Sequence, residues 1–164
     1  MARASDSLVM TDLTDLLTPD AVLADVTVAG KKKLFAQLGE VAHRAWGLDA
    51  HRVADSIADR ERLGTTGFGS GIAIPHGRIE GIGRVRGVFA RLAQPIDFDA
   101  VDDAPVDIVF MLMSPVDAGA DHLKALARVS RAMRDRNFAD KLRGAVSGDA
   151  LYALLAGVEA RDAA

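Results

Sequence analysis

The sequence predicts an α/β fold in which strands lie between helices on both faces. Three observations carry that expectation. Lys31 to Trp46 places Leu34, Phe35, Leu38, Val41, Ala42, Ala45 and Trp46 at helical spacing, which makes one broad apolar stripe. Val106 to Met113 is so apolar, with an unbroken run from Ile108, that a strand there has both faces covered. A chain of 164 residues, with 49% hydrophobic, 5% aromatic and 26% charged residues, has the size and composition of one globular domain.

The elements follow in order. Thr11 to Leu17 has a possible cap and spaced leucines, but Pro19 limits it to a short helix or turn that leads into a strand at Val22 to Val26. After the helix at Lys31 to Trp46, Asp49 can cap a second one carrying Val53, Ala54 and Ile57 and ending near Gly64. Gly71 to Pro75 reads as a short buried strand that delivers His76 immediately after a proline. Val85 to Leu92 and Val106 to Met113 are the further strands. Asp121 is placed to cap a helix through Leu123, Leu126, Ala127, Val129 and Met133. Shorter helices are expected at Phe138 to Arg143 and, after Ser147, at Asp149 to Leu155.

Composition removes several functions. There is no cysteine, hence no disulfide, iron–sulfur cluster, thiolate zinc site or Cys nucleophile. The net charge is −3 with both signs mixed along the chain, and no basic stripe suggests a nucleic-acid partner. Met1 to Ser7 has one basic residue and no apolar run after it, unlike a secretory leader. The longest apolar runs, Ile108 to Met113 and Leu151 to Val158, are far shorter than the roughly 18 residues of a membrane span. A cytoplasmic protein without membrane insertion is expected.

Chemistry points to one stretch. Eight of the fifteen glycines fall between Gly64 and Gly87, where unusual dihedrals and close backbone approach become available. His76, between Pro75 and Gly77, is either a side chain presented for chemistry or a loop histidine bonded to a backbone carbonyl. His122, in the first turn of its helix and four before Leu126, is either near an anion at the helix N-terminus or closing the core. Arg60 fits ordinary dipole complementation at a helix C-terminus. Were these three to converge on a glycine-lined pocket, they would make a phosphate site. Metal binding is the rival, weakened because neither histidine belongs to an HExxH-like pair. Gly64 to Gly71 lacks the GK[ST] ending of a nucleotide loop, and Ser70 lacks the Gly-x-Ser-x-Gly frame of a nucleophile elbow, since Phe68 and Ile72 flank it.

Arg60-Glu61-Arg62-Leu63-Gly64-Thr65-Thr66-Gly67, followed by Gly69-Ser70-Gly71-Ile72-Ala73-Ile74-Pro75-His76-Gly77-Arg78, resembles the signature of the fructose/mannitol-type enzyme IIA domains of the bacterial phosphotransferase system. The resemblance continues through Pro95 to Asp99, Pro105 to Asp107 and His122, covers about residues 17–155, and is nearest to the nitrogen-regulatory branch. It implies a single α/β domain over 1–164 with a mixed sheet sandwiched between helices. It also implies that His76 is the phosphorylated histidine, with His122 and Arg60 as its partners in the site. Mannitol-type members carry glutamate six residues before the phosphorylated histidine; Ser70 stands there in this chain, which favours the regulatory branch.

The implied reaction is reversible phosphohistidine transfer without metal or cofactor. Neutral His76 attacks a partner's phosphohistidine in line, while Arg60, His122 and the backbone N–H groups of Gly69, Ser70 and Gly71 stabilise the charge. The implied donor is the phosphocarrier HPr or its nitrogen-branch counterpart, with regulatory proteins or a IIB protein downstream. Three functions are weighed: a regulatory phosphocarrier, a sugar-specific component that passes phosphate to IIB for fructose/mannitol-type uptake, and a binding module without transfer.

Overall fold

Alternation along one strand dictates the layering. The computed structural model describes residues 12–157, so the readings made on Met1 to Ser7, Thr11 and Val158 lie outside the described residues. Strand β6 (Val106–Ser114) sends Val109, Met111 and Met113 to one face and Ile108, Phe110 and Leu112 to the other. All six are fully buried, and each contributes about 1.5–3 kcal/mol on burial. Helices α1 (Lys31–Trp46) and α2 (Ala50–Arg62) cover the first face with Leu34, Leu38, Val53 and Ile57. The second is covered by α3 (Gly119–Arg134), α4 (Arg136–Gly144) and α5 (Gly148–Leu155), through Val129, Met133, Leu142 and Leu151.

The other strands are β1 (Val22–Val26), β2 (Gly67–Gly69), β3 (Ile72–Ala73), β4 (His76–Arg78) and β5 (Arg86–Ile96), in the sheet order β1-β5-β6-β3-β2, with β4 also on β6. β1 runs parallel to β5, β5 antiparallel to β6, and both β3 and β4 parallel to β6. This is a mixed sheet between helices, as the sequence led one to expect.

Local chemistry explains the boundaries. The helix at 31–46 stops at Gly47, whose φ of 72° suits glycine. Asp49 caps α2 by accepting the Arg52 N–H at 3.1 Å, and Ser147 caps α5 by accepting from Ala150 at 3.1 Å. Asp121 does not cap its helix: α3 begins two residues earlier, at Gly119, with Ala118 at the cap position. The expected strand at Gly71 to Pro75 is interrupted. Pro75 has no N–H to donate, yet its carbonyl accepts from Leu112 at 2.9 Å, which carries pairing with β6 across the break from β3 to β4.

Candidate functional site

Sheet register brings the two histidines together. His76 opens β4 opposite Leu112 and shares that residue's face, toward α3, whereas Gly77 faces α2. A Cβ on Gly77 would lie 2.7 Å from Ser56 Oγ, so glycine permits β4 to press against α2. His122 reaches the same corner from α3, and the two ring centroids are 5.6 Å apart with planes at 53°.

Each ring is held by its Nδ1. His76 Nδ1 lies 2.9 Å from the Ile74 carbonyl oxygen. A carbonyl only accepts, so Nδ1 carries the proton and Nε2 keeps the lone pair of the neutral ring. The bland alternative, a histidine bonded to a backbone carbonyl, is thus present, and it is what orients the ring. His122 Nδ1 lies 2.6 Å from Ser114 Oγ, and His122 and Ser114 are both buried.

Burial is the main cause holding both imidazoles below the ordinary 6.5. At His76 the Ile74 carbonyl acts in the opposite sense, the charge of Arg60 lowers the value further, and Glu61 raises it. At His122, Arg78 and His76 add to the lowering. Arg60 therefore acts electrostatically on His76 from the last turn of α2, where its Nη1 donates to the Gly64 carbonyl at 2.9 Å. Next to it, the buried Glu61 accepts from Thr66 N–H and Oγ1–H and from Lys31 Nζ, which fastens the end of α2 to the turn leading into β2.

One expectation is corrected. The Gly69–Gly71 turn does not reach the histidines. Ile72 pairs with Ile108, whereas His76 pairs with Leu112, four residues further along β6, about 13 Å away at strand rise. Gly69, Ser70 and Gly71 all have positive φ and form the tight β2–β3 turn; the Ser70 N–H donates to Asp102 Oδ2 at 3.0 Å and its carbonyl accepts from Arg143. The backbone N–H of His122 itself is spent inside α3, donating to the Ala118 carbonyl at 3.0 Å.

Sequence reasoning missed two neighbours. Arg78 lies two residues after His76 on β4, hence on the same face, and alternation alone could have placed it there. Ser114 pairs with Arg78 across β6, a register that the sequence does not show. Among the described residues no group of three or more His, Asp or Glu side chains is placed to hold a metal ion, and no helix is long and apolar enough to cross a membrane.

Comparison with known proteins places this architecture. Residues 15–158 match the family described as "Phosphoenolpyruvate-dependent sugar phosphotransferase system, EIIA 2". The chain belongs to that family. It is similar to a nitrogen regulatory protein of Bradyrhizobium diazoefficiens, 45% identical over 88% of this chain and 94% of that one. The crystal structure of the nitrogen regulatory protein IIA-Ntr from Neisseria meningitidis superposes with a TM-score of 0.81 at 33% identity, covering 86% of this chain and 97% of that one. The mannitol enzyme IIA of Escherichia coli, solved in complex with phosphorylated IIB, shares the fold, with a TM-score of 0.72 at 22% identity over 86% and 97% of the chains.

Proposed function

We propose that the protein is a cytoplasmic phosphocarrier that takes a phosphoryl group onto His76 Nε2 from phospho-HPr or its nitrogen-branch counterpart and acts in nitrogen or metabolic regulation. The observation that carries this reading is the contact of His76 Nδ1 with the Ile74 carbonyl, which leaves the Nε2 lone pair of a half-buried ring available beside His122. Burial favours the neutral ring, and a neutral imidazole needs no separate base. The ring of His76 is half-buried, so part of it is open to a protein donor at the surface.

In the step, His76 Nε2 attacks phosphorus in line. The new N–P bond forms as the donor's P–N bond breaks, and the electron pair of that bond returns to the donor ring. Arg60, Arg78 and His122 offset the charge on the phosphoryl oxygens. Donor and product are both phosphohistidines, so transfer is reversible and the chain, taken as one unit over 1–164, is at once carrier and readout. Up to about two added negative charges change its surface for regulatory targets. The family membership and the likeness to nitrogen regulatory proteins support this reading over a sugar-specific component that passes phosphate to IIB.

The test is incubation with phosphoenolpyruvate, enzyme I and HPr of either branch, followed by intact-mass analysis of wild type and His76→Ala. One acid-labile phosphoryl group on the wild type and none on the variant is expected. No label from either donor would leave a binding module, and rapid onward transfer to a IIB protein would favour the sugar-specific role.

A further inference from the structure

We propose that Ser114 is a positioning residue that fixes His122 as the Nε2–H tautomer, so that the two histidines are locked in opposite hydrogen-bonding senses. Ser114 ends β6, is fully buried, and shares with Leu112 the sheet face that packs on α3. Its carbonyl accepts the Ile79 N–H at 2.8 Å. Among the described residues, its hydroxyl has one hydrogen-bond partner, His122 Nδ1, at 2.6 Å.

A hydroxyl carries one proton, and in a buried place that proton needs an acceptor. If His122 Nδ1 held a hydrogen and donated it to Oγ, the hydroxyl proton would be buried with nothing to accept it. With Oγ–H donating to Nδ1 instead, both groups are satisfied. A neutral imidazole has one N–H, so that hydrogen is at Nε2.

His76 is set the other way. The Ile74 carbonyl requires a hydrogen on Nδ1 and leaves Nε2 as a lone pair. A backbone acceptor thus makes one ring a nucleophile, while a side-chain donor makes its neighbour a hydrogen-bond donor, with the centroids 5.6 Å apart. The consequence for transfer rests on the phosphocarrier reading above: a neutral His122 with Nε2–H can donate to a phosphoryl oxygen on His76, and the other tautomer cannot. The sequence hides this pair, because Ser114 and His122 are joined only through the turn from β6 into α3.

The tautomer can be read without any activity. In the 15N-labelled full chain at about pH 8, two-bond proton–nitrogen correlations should show His122 with hydrogen on Nε2 and a bare Nδ1, and His76 with the reverse. Ser114→Ala should turn His122 into a mixture of tautomers and slow transfer from phospho-HPr about tenfold at unchanged KM; Ser114→Thr should restore both. Wild-type His122 with hydrogen on Nδ1 would overturn the proposal even if Ser114→Ala failed to fold. A wild-type tautomer in a folded Ser114→Ala, or an unaltered transfer rate, would overturn it as well. Failure of His76 to accept phosphate from any donor would defeat the phosphocarrier reading alone, since the tautomer measurement stands apart from it.

Discussion

Removal of the Glu61 carboxylate tests how the fold holds the end of α2, from which Arg60 acts on His76. Glu61 is 8% exposed and accepts from Thr66 N–H at 3.1 Å, Thr66 Oγ1–H at 2.6 Å and Lys31 Nζ at 2.9 Å. In Glu61→Ala the buried Thr66 donors lose their acceptor, at about 1–3 kcal/mol for each such group. Lys31 loses less, because its side chain is 23% exposed and Asp99 lies 3.8 Å from its Nζ. The expected cost is therefore about 3–5 kcal/mol, the usual range for removing one partner of a buried ion pair. It is a large share of a total stability of about 5–15 kcal/mol. Glu61→Gln, which keeps one acceptor oxygen but not the charge, should cost about 1–3 kcal/mol. Lys31→Met leaves the buried carboxylate bonded to Thr66 but without its counter-charge, and should cost about 1–3 kcal/mol. Urea unfolding measures all three, and Glu61→Ala within about 1 kcal/mol of wild type would show that Glu61 does not hold the end of α2.

Other expectations follow from the same geometry. Gly77→Ala would put a Cβ 2.7 Å from Ser56 Oγ and 3.2 Å from Ile57 Cδ1. It should cost about 1–3 kcal/mol in urea unfolding and slow phosphoryl transfer by moving His76, and wild-type values for both would contradict the packing described. His122→Ala should retain the fold by circular dichroism and slow transfer about 10–100-fold; an unchanged rate would return His122 to a core-closing role. Because burial depresses the folded pKa of His76 and His122 below 6.5, the unfolded chain takes up protons first as pH falls. Stability present above about pH 6.5 should thus be lost as pH drops through the folded values, and the transfer rate should fall with a midpoint below 6.5. A rate midpoint above 6.5 would show that His76 is not desolvated.

Much of this was legible because it is local. The stripe from Leu34 to Trp46 and the run from Ile108 to Met113 encode periodicity and burial directly, and α1 and β6 lie where they indicate. The caps at Asp49 and Ser147 are likewise local chemistry. Pro75-His76-Gly77 pointed to a histidine that the fold sets beside His122, since a proline that breaks pairing and a glycine that lets α2 approach shape the strand that carries it. The glycine cluster misled for an equally physical reason. Gly69 and Gly71 serve a tight turn with positive φ, and a turn glycine looks the same in sequence as one that approaches a ligand. Ser114 could not be joined to the site until the register of β4 on β6 was known, whereas Arg78 needed only the alternation of β4. His122 was recognised through the family motif; its place beside His76 depends on how α3 crosses the sheet.

The most direct measurement is the position of the phosphoryl group itself. Phosphorus and long-range proton–nitrogen spectra of the 15N-labelled protein, recorded after incubation with phosphoenolpyruvate, enzyme I and HPr, assign it to one nitrogen of one histidine. A single phosphoryl group on His76 Nε2, with Nδ1 still facing the Ile74 carbonyl, is the predicted result. Phosphate on His76 Nδ1, on His122 or on no histidine would contradict the account.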